Sequence, residues 1–445
     1  MKKALWLSVG VSLMLIAAAC AGETVTETVI VEVTVPGEEI TVTETVLVPA
    51  ETGVVTVLGT WGSEQEQFSA AYQPFVEETG IGVAFEGTRD LPAVLTTRLA
   101  AGNPPDLAII PNPGQMIELQ AEGALVDLST VLDMEYMTAN YTPGILETGS
   151  VGGTLYGLPF KLDVKSWVWY VPANFEAAGY TVPTTWDEMI ALSDQIVADG
   201  GTPWCMGFES AAASGWPGTD WIEAIMLRTV GLDTYFQWTN HEIPWTDPAV
   251  VAAWEEFGKV TQTEGYVFGG TTGAVSTNFI VAAAPLFTDP PGCYMHSQAL
   301  FIKGEFPDDA VPVEDYNNFQ LPAINPEFGE PSLYAGDIVI MFNNTPNAAA
   351  FMNYLATDVP QDIWAATGTG IFPNADPAVY PDPFFGKAGD HVATAAVGAF
   401  DGGDLMPSAV GGGTFWSGVM DFVAGESLSS VLDTIETSAV EAYGG

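Results

Sequence analysis

The chain has 445 residues, 48% hydrophobic and 11% aromatic, and its 56 acidic residues against ten basic ones give a formal net charge of −46. A surface this negative argues against nucleic acid and against anionic substrates, since both require a positive field. The acids are not unusually frequent; Lys and Arg are nearly absent, and the apolar content is ample for a large core in two lobes.

In chain order, Lys2 and Lys3 give a short positive region, and residues 5–19 form an almost unbroken apolar run. The run is too short for a comfortable membrane span and ends in small residues, the pattern of a cleaved signal peptide over 1–19. Ala17-Ala18-Ala19-Cys20 resembles a bacterial lipobox, in which the cysteine is acylated and becomes the new N-terminus; Ala17 stands where such motifs usually carry Leu. An ordinary secretory signal cut near Ala19, with Cys20 a spare thiol, is the alternative. Residues 21–53 hold seven glutamates and no Lys, Arg, Asp or aromatic residue, and Thr-Val-Thr-Glu-Thr-Val occurs at 24–29 and again at 41–46. With so little to bury, 20–53 reads as a lipidated cysteine followed by an extended, solvated acidic tether. No later stretch is long and apolar enough to span a membrane.

The body begins with a β-branched run at 54–58 that ends at Gly59-Thr60-Trp61-Gly62. Ser63, with Glu66 three residues later, has the spacing of a capping box, and Phe68, Ala71, Tyr72, Phe75 and Val76 fall at helical spacing. Pro74 inside this pattern predicts a kink or break, and Gly80 ends the helix. A strand at 82–85, a helix at 91–101, a strand at 106–110 and a helix at 114–122 follow. This alternation is the signature of a doubly wound sheet, in which ligands bind beyond the carboxyl ends of the strands. Thr60-Trp61-Gly62, Thr88-Arg89 and Pro111-Asn112 therefore share one rim. A second lobe starts after Gly157-Leu158-Pro159-Phe160, with a strand at 166–171 and a capping box at Thr185-Trp186-Asp187-Glu188 that opens a helix to about residue 198. A strand at 337–342, a helix at 347–356 and C-terminal helices at 415–423 and 427–437 complete the elements. Trp167 and Trp169, two apart in a strand, face one side together as packing, Asp106 braces a turn, and Gly411-Gly412-Gly413 reads as a hinge or loop.

With Cys20 lipidated, Cys205 and Cys293 remain as a pair in an oxidising compartment, where a disulfide is expected; two buried free thiols are the alternative. The three histidines, His241, His296 and His391, show no metal-ligand spacing, and no nucleophile elbow, P-loop or dinucleotide fingerprint is present. No cofactor or metal is expected. A glycoside hydrolase working with two carboxylates remains open as another class of function.

The order of local features resembles the extracellular solute-binding proteins of sugar ABC importers, the group that includes maltose-binding protein. The resemblance rests on Phe75-Val-Glu-Glu-Thr-Gly-Ile81, Ala101-Gly-Asn-Pro-Pro-Asp-Leu107, Leu155-Tyr-Gly-Leu-Pro159, Val182-Pro-Thr-Thr-Trp-Asp-Glu188, the strand and helix at 337–355, and Met406-Pro407 with Phe415-Trp416. The composite is most similar to the branch that binds α-glucosides and related oligosaccharides. It implies an α/β, two-lobed Venus-flytrap fold of type II with an interlobe hinge. Lobe 1 would comprise 54–162 and 336–375, and lobe 2 163–335 and 376–445, with crossings near 161–164, 333–337 and 374–376.

The resemblance also implies a neutral sugar trapped in the cleft by lobe closure, recognition of the closed form by an ABC permease, a monomeric protein, and no enzymatic step. A binding protein serving a chemoreceptor would share the same fold. Ligand contacts carried over are Thr60, Trp61, Gly62, Glu64, Arg89, Pro111 and Asn112 in the first lobe, with Lys161, Asp163 and Asp337 at the hinge. In the second lobe they are Trp216, Asp220, Trp221, Tyr294 and Trp416. The chemistry suits a sugar, which offers hydroxyls to carboxylates and amides and apolar faces to aromatic rings.

Overall fold

The structure, a computed structural model, describes residues 53–381, 383–386, 388 and 398–444, together with the backbone of two strands near the N-terminus. Cys20 and residues 1–19 lie outside the described residues. The acidic segment is not a single extended stalk: Thr26–Val35 and Glu38–Leu47 pair as an antiparallel ribbon, with Thr26 opposite Leu47 and Val35 opposite Glu38. The β-branched alternation supplies the strand propensity, with residues 26–29 of the first copy of the repeat on one strand and the second copy on the other.

The first lobe is built on strands β1 (Val54–Gly59), β2 (Gly82–Gly87) and β3 (Leu107–Ile110), separated by helices α1 (Gln65–Thr79) and α2 (Leu91–Ala100) and followed by α3 (Pro113–Ala121). All three strands run parallel, with β1 in the middle. The four residues of β3 are all buried, as expected of a strand covered on both faces. The long return strand near residue 340 pairs antiparallel with β3, and β4 (Gly157–Val164) pairs antiparallel with that strand and so runs in the same sense as β1–β3.

Helix α1 departs from the sequence expectation twice. It runs unbroken through Pro74, held by the buried faces of Phe68, Ala71 and Phe75, so tertiary packing outweighs the lost hydrogen bond. No capping box forms; Glu64 occupies the N-cap without a side-chain cap and turns instead to Lys161.

Strand β5 (Trp167–Tyr170) starts the second lobe, and α4 (Trp186–Ala198) follows it. Thr185 caps α4 by accepting from the Glu188 amide, while the Glu188 carboxylate reaches back to Thr184 rather than Thr185. Next come α5 (Trp216–Thr239), α6 (Pro248–Thr261), β6 (Met295–Ser297) and β7 (Asn317–Gln320). Strands β6 and β7 flank β5 in a small antiparallel sheet. Trp167 and Trp169 are buried on one face of β5, and Val168 packs into the main second-lobe core on the other.

The chain returns through β8 (Ser332–Met341), followed by α7 (Pro346–Ala356) and α8 (Asp358–Ala365), which rejoin the first-lobe core. It ends in the second lobe with β9 (Gly398–Phe400), α9 (Trp416–Ala424) and α10 (Leu428–Ala442). The first-lobe sheet has the order β2-β1-β3-β8-β4. Strands β4 and β8 form an antiparallel pair that spans both lobes. Pro159 opposite Ile338 lies in the first lobe, and Val164 opposite Tyr334 lies at the second, where β9 joins β8 in parallel. The register shifts between Asp337 and Ile338, a bulge at the boundary. Near 374–376 the chain does not yet cross: Asn374 is held by Gln361, Tyr136 and Ala356 of the first lobe, and Val379 and Tyr380 still pack on its core. Phe384 and Phe385 are the next residues in a second-lobe cluster. Gly411-Gly412-Gly413 is not an open loop but part of a π-helical turn, Val410–Phe415, that leads into α9.

Cys205 and Cys293 form a disulfide, 88 residues apart in sequence, beside the hydrogen bond from the Cys205 amide to the Met295 carbonyl. Closing so long a loop restricts the unfolded chain, so Cys205→Ala should lower unfolding stability by about 2–4 kcal/mol. Denaturant titration of the variant against the oxidised protein measures the difference. Equal midpoints would show that the bridge does not restrain the chain.

Candidate functional site

Between the lobes lies a cavity of about 470 Å³. The turns after β1, β2 and β3 contribute Trp61, Arg89 and Asn112 to its first-lobe wall, as the strand-end rule requires. Strand β4 contributes Lys161 and Asp163, and Asp337 joins them from β8, opposite the bulge that Phe160 makes in β4. The second-lobe wall comes from the first turn of α5, from the loops carrying Phe279 and Phe301, from Asp401 and Asp404, and from Trp416.

Every carried-over residue except Trp221 and Tyr294 lines this cavity. Trp216, Thr219 and Asp220 share one face of α5, whereas Trp221 is rotated away from it and packs in the core against Trp204, ring centroids 5.1 Å apart. Tyr294 packs against Tyr180 and Phe175 of the main second-lobe core, with centroids 5.2 Å and 6.4 Å away, and does not reach the cavity. Sequence reasoning missed Lys165, Phe279, Phe301, Asp401 and Asp404. No local pattern marks any of them; only the scarcity of basic residues singles out Lys165.

The polar contacts fall into three groups. Lys161 donates to Glu64 at 2.5 Å, and Trp61 donates its indole N–H to Asp337 at 2.9 Å. Trp61 itself is enclosed by Phe68, Phe160 and Trp364, so its ring serves the first-lobe core while its edge fixes Asp337. Asp163 accepts from the backbone amides of Leu300 at 2.8 Å and Phe301 at 3.2 Å, which ties the hinge strand to a second-lobe loop. In the third group Lys165 donates to Asp220 at 2.7 Å and also to Asp401.

Burial shifts these groups. It drives the Asp163 carboxyl up to about 7 despite Lys161 and the two amides. Burial would lower Lys161 and Lys165, but the surrounding carboxylates outweigh it and hold both ammonium groups above their usual value. The lobes face each other in a closed arrangement. Arg89 donates to Ser210 Oγ across the cleft at 3.0 Å and lies over the rings of Phe279 and Trp216, at 5.2 Å and 5.8 Å. Asn112 donates to Asp404, and Ser408 donates from its amide and hydroxyl to Glu118 at 3.0 Å and 2.6 Å.

The aromatic wall is Trp216 with Phe279 at 5.1 Å and Phe301 at 6.0 Å between centroids, and the Trp216 indole nitrogen is buried without a partner. Trp416 is brought alongside by a close approach at Gly215, the N-cap of α5. Gly215 has φ +108°, and a Cβ there would lie 2.1 Å from the Trp416 carbonyl oxygen. Flat rings, acceptor carboxylates and donor cations enclosed by two hinged lobes make a site that binds a polar organic solute by surrounding it.

Sequence comparison agrees. Residues 61–362 match the bacterial extracellular solute-binding protein family. The chain belongs to that family. This binding protein is 46% identical over 387 residues to the osmoprotective compounds-binding protein of Synechocystis sp., covering 86% of this chain and 92% of that one. It is 40% identical over 391 residues to the alpha-glucosides-binding periplasmic protein of Rhizobium meliloti, covering 85% of each. Among solved structures, a chitin oligosaccharide binding protein superposes with a TM-score of 0.76 at 18% identity, covering 88% of this chain and 99% of that one. Maltose-bound MalE3 of T. maritima superposes with a TM-score of 0.65 at 16% identity, covering 87% and 99%. At these identities the structural matches establish the two-lobed fold of this binding protein and no more. Among the described residues no helix is long and apolar enough to cross a membrane.

The tightest interlobe approach predicts how closure can be blocked. A Cβ at Gly114, at the start of α3, would lie 2.1 Å from the Met406 carbonyl oxygen of the second lobe. Gly114→Ala should therefore hold the lobes apart while each lobe keeps its own core. Small-angle scattering should show a more extended particle with an unchanged far-ultraviolet dichroism spectrum; a particle of wild-type dimensions would contradict the closure geometry.

Proposed function

We propose that this protein is the capture component of an ABC importer. It encloses a neutral carbohydrate, of the α-glucoside or maltose-type oligosaccharide class, by lobe closure and presents it as a monomer to a membrane permease. The moving bodies are 54–162 with 336–380 and 163–335 with 398–444. Cys20 carries the lipid anchor, and residues 21–53, folded back as a ribbon, join it to the clamp and keep the clamp near its permease. The observation that carries the reading is the closed cavity, in which Trp216, Phe279, Phe301 and Trp416 stand opposite the carboxylates of Glu64, Asp163 and Asp337. The Rhizobium meliloti relative, named for alpha-glucosides, supports the same ligand class.

Capture requires no covalent step, because closure alone replaces the water around the sugar with protein hydrogen bonds and ring faces. The negative surface disfavours acidic sugars.

Calorimetry against a panel of glucose-containing disaccharides and oligosaccharides should show binding, and chromatography should recover the sugars unchanged. A panel without binding would overturn the sugar reading, and product formation would assign a hydrolase instead. Trp416→Ala should weaken the best ligand by about 1–3 kcal/mol, the scale of a lost buried aromatic contact. An unaltered affinity would remove Trp416 from the site. Mass determination of membrane-extracted protein should show an acylated Cys20; a mature chain with an unmodified thiol would refute the anchor.

A further inference from the structure

On the second-lobe wall, four carboxyl groups surround one ammonium group. Asp220 and Glu223 come from the first two turns of α5, Asp401 from the residue after β9, and Asp404 from the short turn that follows. Lys165, in the link between β4 and β5, is the cation they share. Other groups facing the cluster are Asp337 from β8, Arg89 from the turn after β2, Asn112 before α3, and Tyr235 from α5, whose hydroxyl donates to the Phe400 carbonyl.

The donors can be accounted for oxygen by oxygen. Glu223 accepts from the amides of Gly402 at 3.1 Å and Gly403 at 2.9 Å. Asp401 accepts from Lys165 and, at 2.9 Å, from the Asp404 amide. Asp404 accepts from Asn112. Asp220 accepts from Lys165 through Oδ1, but its Oδ2 is buried with no donor. The group within hydrogen-bonding reach of the Asp220 carboxyl is a second carboxyl, that of Asp401. Two carboxylates in that position repel unless a proton lies between them, and a buried acceptor without a donor is costly.

We propose that Asp220 carries a proton in the closed clamp, shared with the carboxyl of Asp401 while both hold Lys165, and that ligand capture takes this proton up from solvent. Charge balances: a proton enters, no bond to carbon forms, and the four acids around Lys165 carry one negative charge fewer. Burial also pushes the Asp220 carboxyl up to about 7, with Lys165 opposing the rise and Asp401 adding to it, and the same burial raises Glu223 and Asp404 well above the usual carboxylate range.

The sign of the pH dependence follows. The closed state binds this proton more tightly than the open, hydrated state, in which the carboxyl titrates nearer its ordinary value. Affinity is therefore full below the open-state titration. It falls as pH rises towards about 7, approaching tenfold per pH unit where a single proton is taken up, and levels off above. A neutral sugar has no charge of its own to supply this dependence.

The inference rests on the capture function proposed above. Calorimetry at pH 6.5, repeated in buffers of different ionisation enthalpy, should show proton uptake that falls by about one proton in Asp220→Asn. Equal uptake in wild type and variant would overturn the inference, whereas absence of any sugar binding would instead overturn the capture reading. Infrared difference spectra at pH 6.5, ligand-bound minus ligand-free, should show a buried carboxylic-acid stretch that appears on binding and is absent in Asp220→Asn and in Asp401→Asn. Either variant suffices if the other fails to fold. A wild-type difference spectrum without that band, taken where calorimetry shows binding, would overturn the proton assignment.

Discussion

Too few cations for too many buried acids is the constraint on which the site depends. Of the ten basic residues in the chain, Arg89, Lys161 and Lys165 all line the interlobe cavity. A buried ammonium group is tolerable only if good partners offset the loss of hydration. Each lysine therefore gathers acids from segments far apart in sequence. Lys161 draws Glu64, Asp163 and Asp337 together, and Lys165 draws Asp220 and Asp401. The same pairings fix the turns that shape the cavity, so electrostatic satisfaction and ligand geometry are one arrangement.

Apolar burial is organised differently. The hydrophobic clusters divide between the lobes, with Val57, Ile109 and Trp364 on one side and Trp204, Trp254 and Ile435 on the other. The contacts that span the cleft are polar and lie around the cavity: Arg89 with Ser210, Asn112 with Asp404, and Glu118 with Ser408. Hydrogen bonds near solvent contribute little net energy because water replaces them readily. Each lobe can therefore keep its stability through opening and closing.

Most of the first lobe was legible in the sequence because its signals are local. Alternating strand and helix patterns gave β1 to β3 and α1 to α3, and the strand-end rule placed Trp61, Arg89 and Asn112 on one wall. Where tertiary packing overrode a local rule, the reading failed: Pro74 sits in an unbroken helix, and the glycines at 411–413 are wound into a π-helical turn. Trp221 was misplaced because a position one residue from Asp220 on a helix faces another direction. Phe279, Phe301, Asp401 and Asp404 stayed invisible, since their roles come from contacts with residues far away in the chain, such as Trp216, Lys165 and Asn112.

The antiparallel pair formed by β4 and β8 has a mechanical consequence. Two hydrogen-bonded strands resist sliding and stretching but bend across their plane, so they act as a leaf spring joining two rigid plates. Its weakest point is the bulge at Asp337, where the ladder is interrupted. Asp337 thus sits at the fulcrum. Rotation there displaces nearby groups least and distant ones most, so the indole of Trp61 can keep its grip on Asp337 through the whole stroke. Arg89 follows β2, the strand farthest from β8 in this sheet, and so stands farther from the fulcrum than Asn112, whose strand β3 pairs with β8 directly.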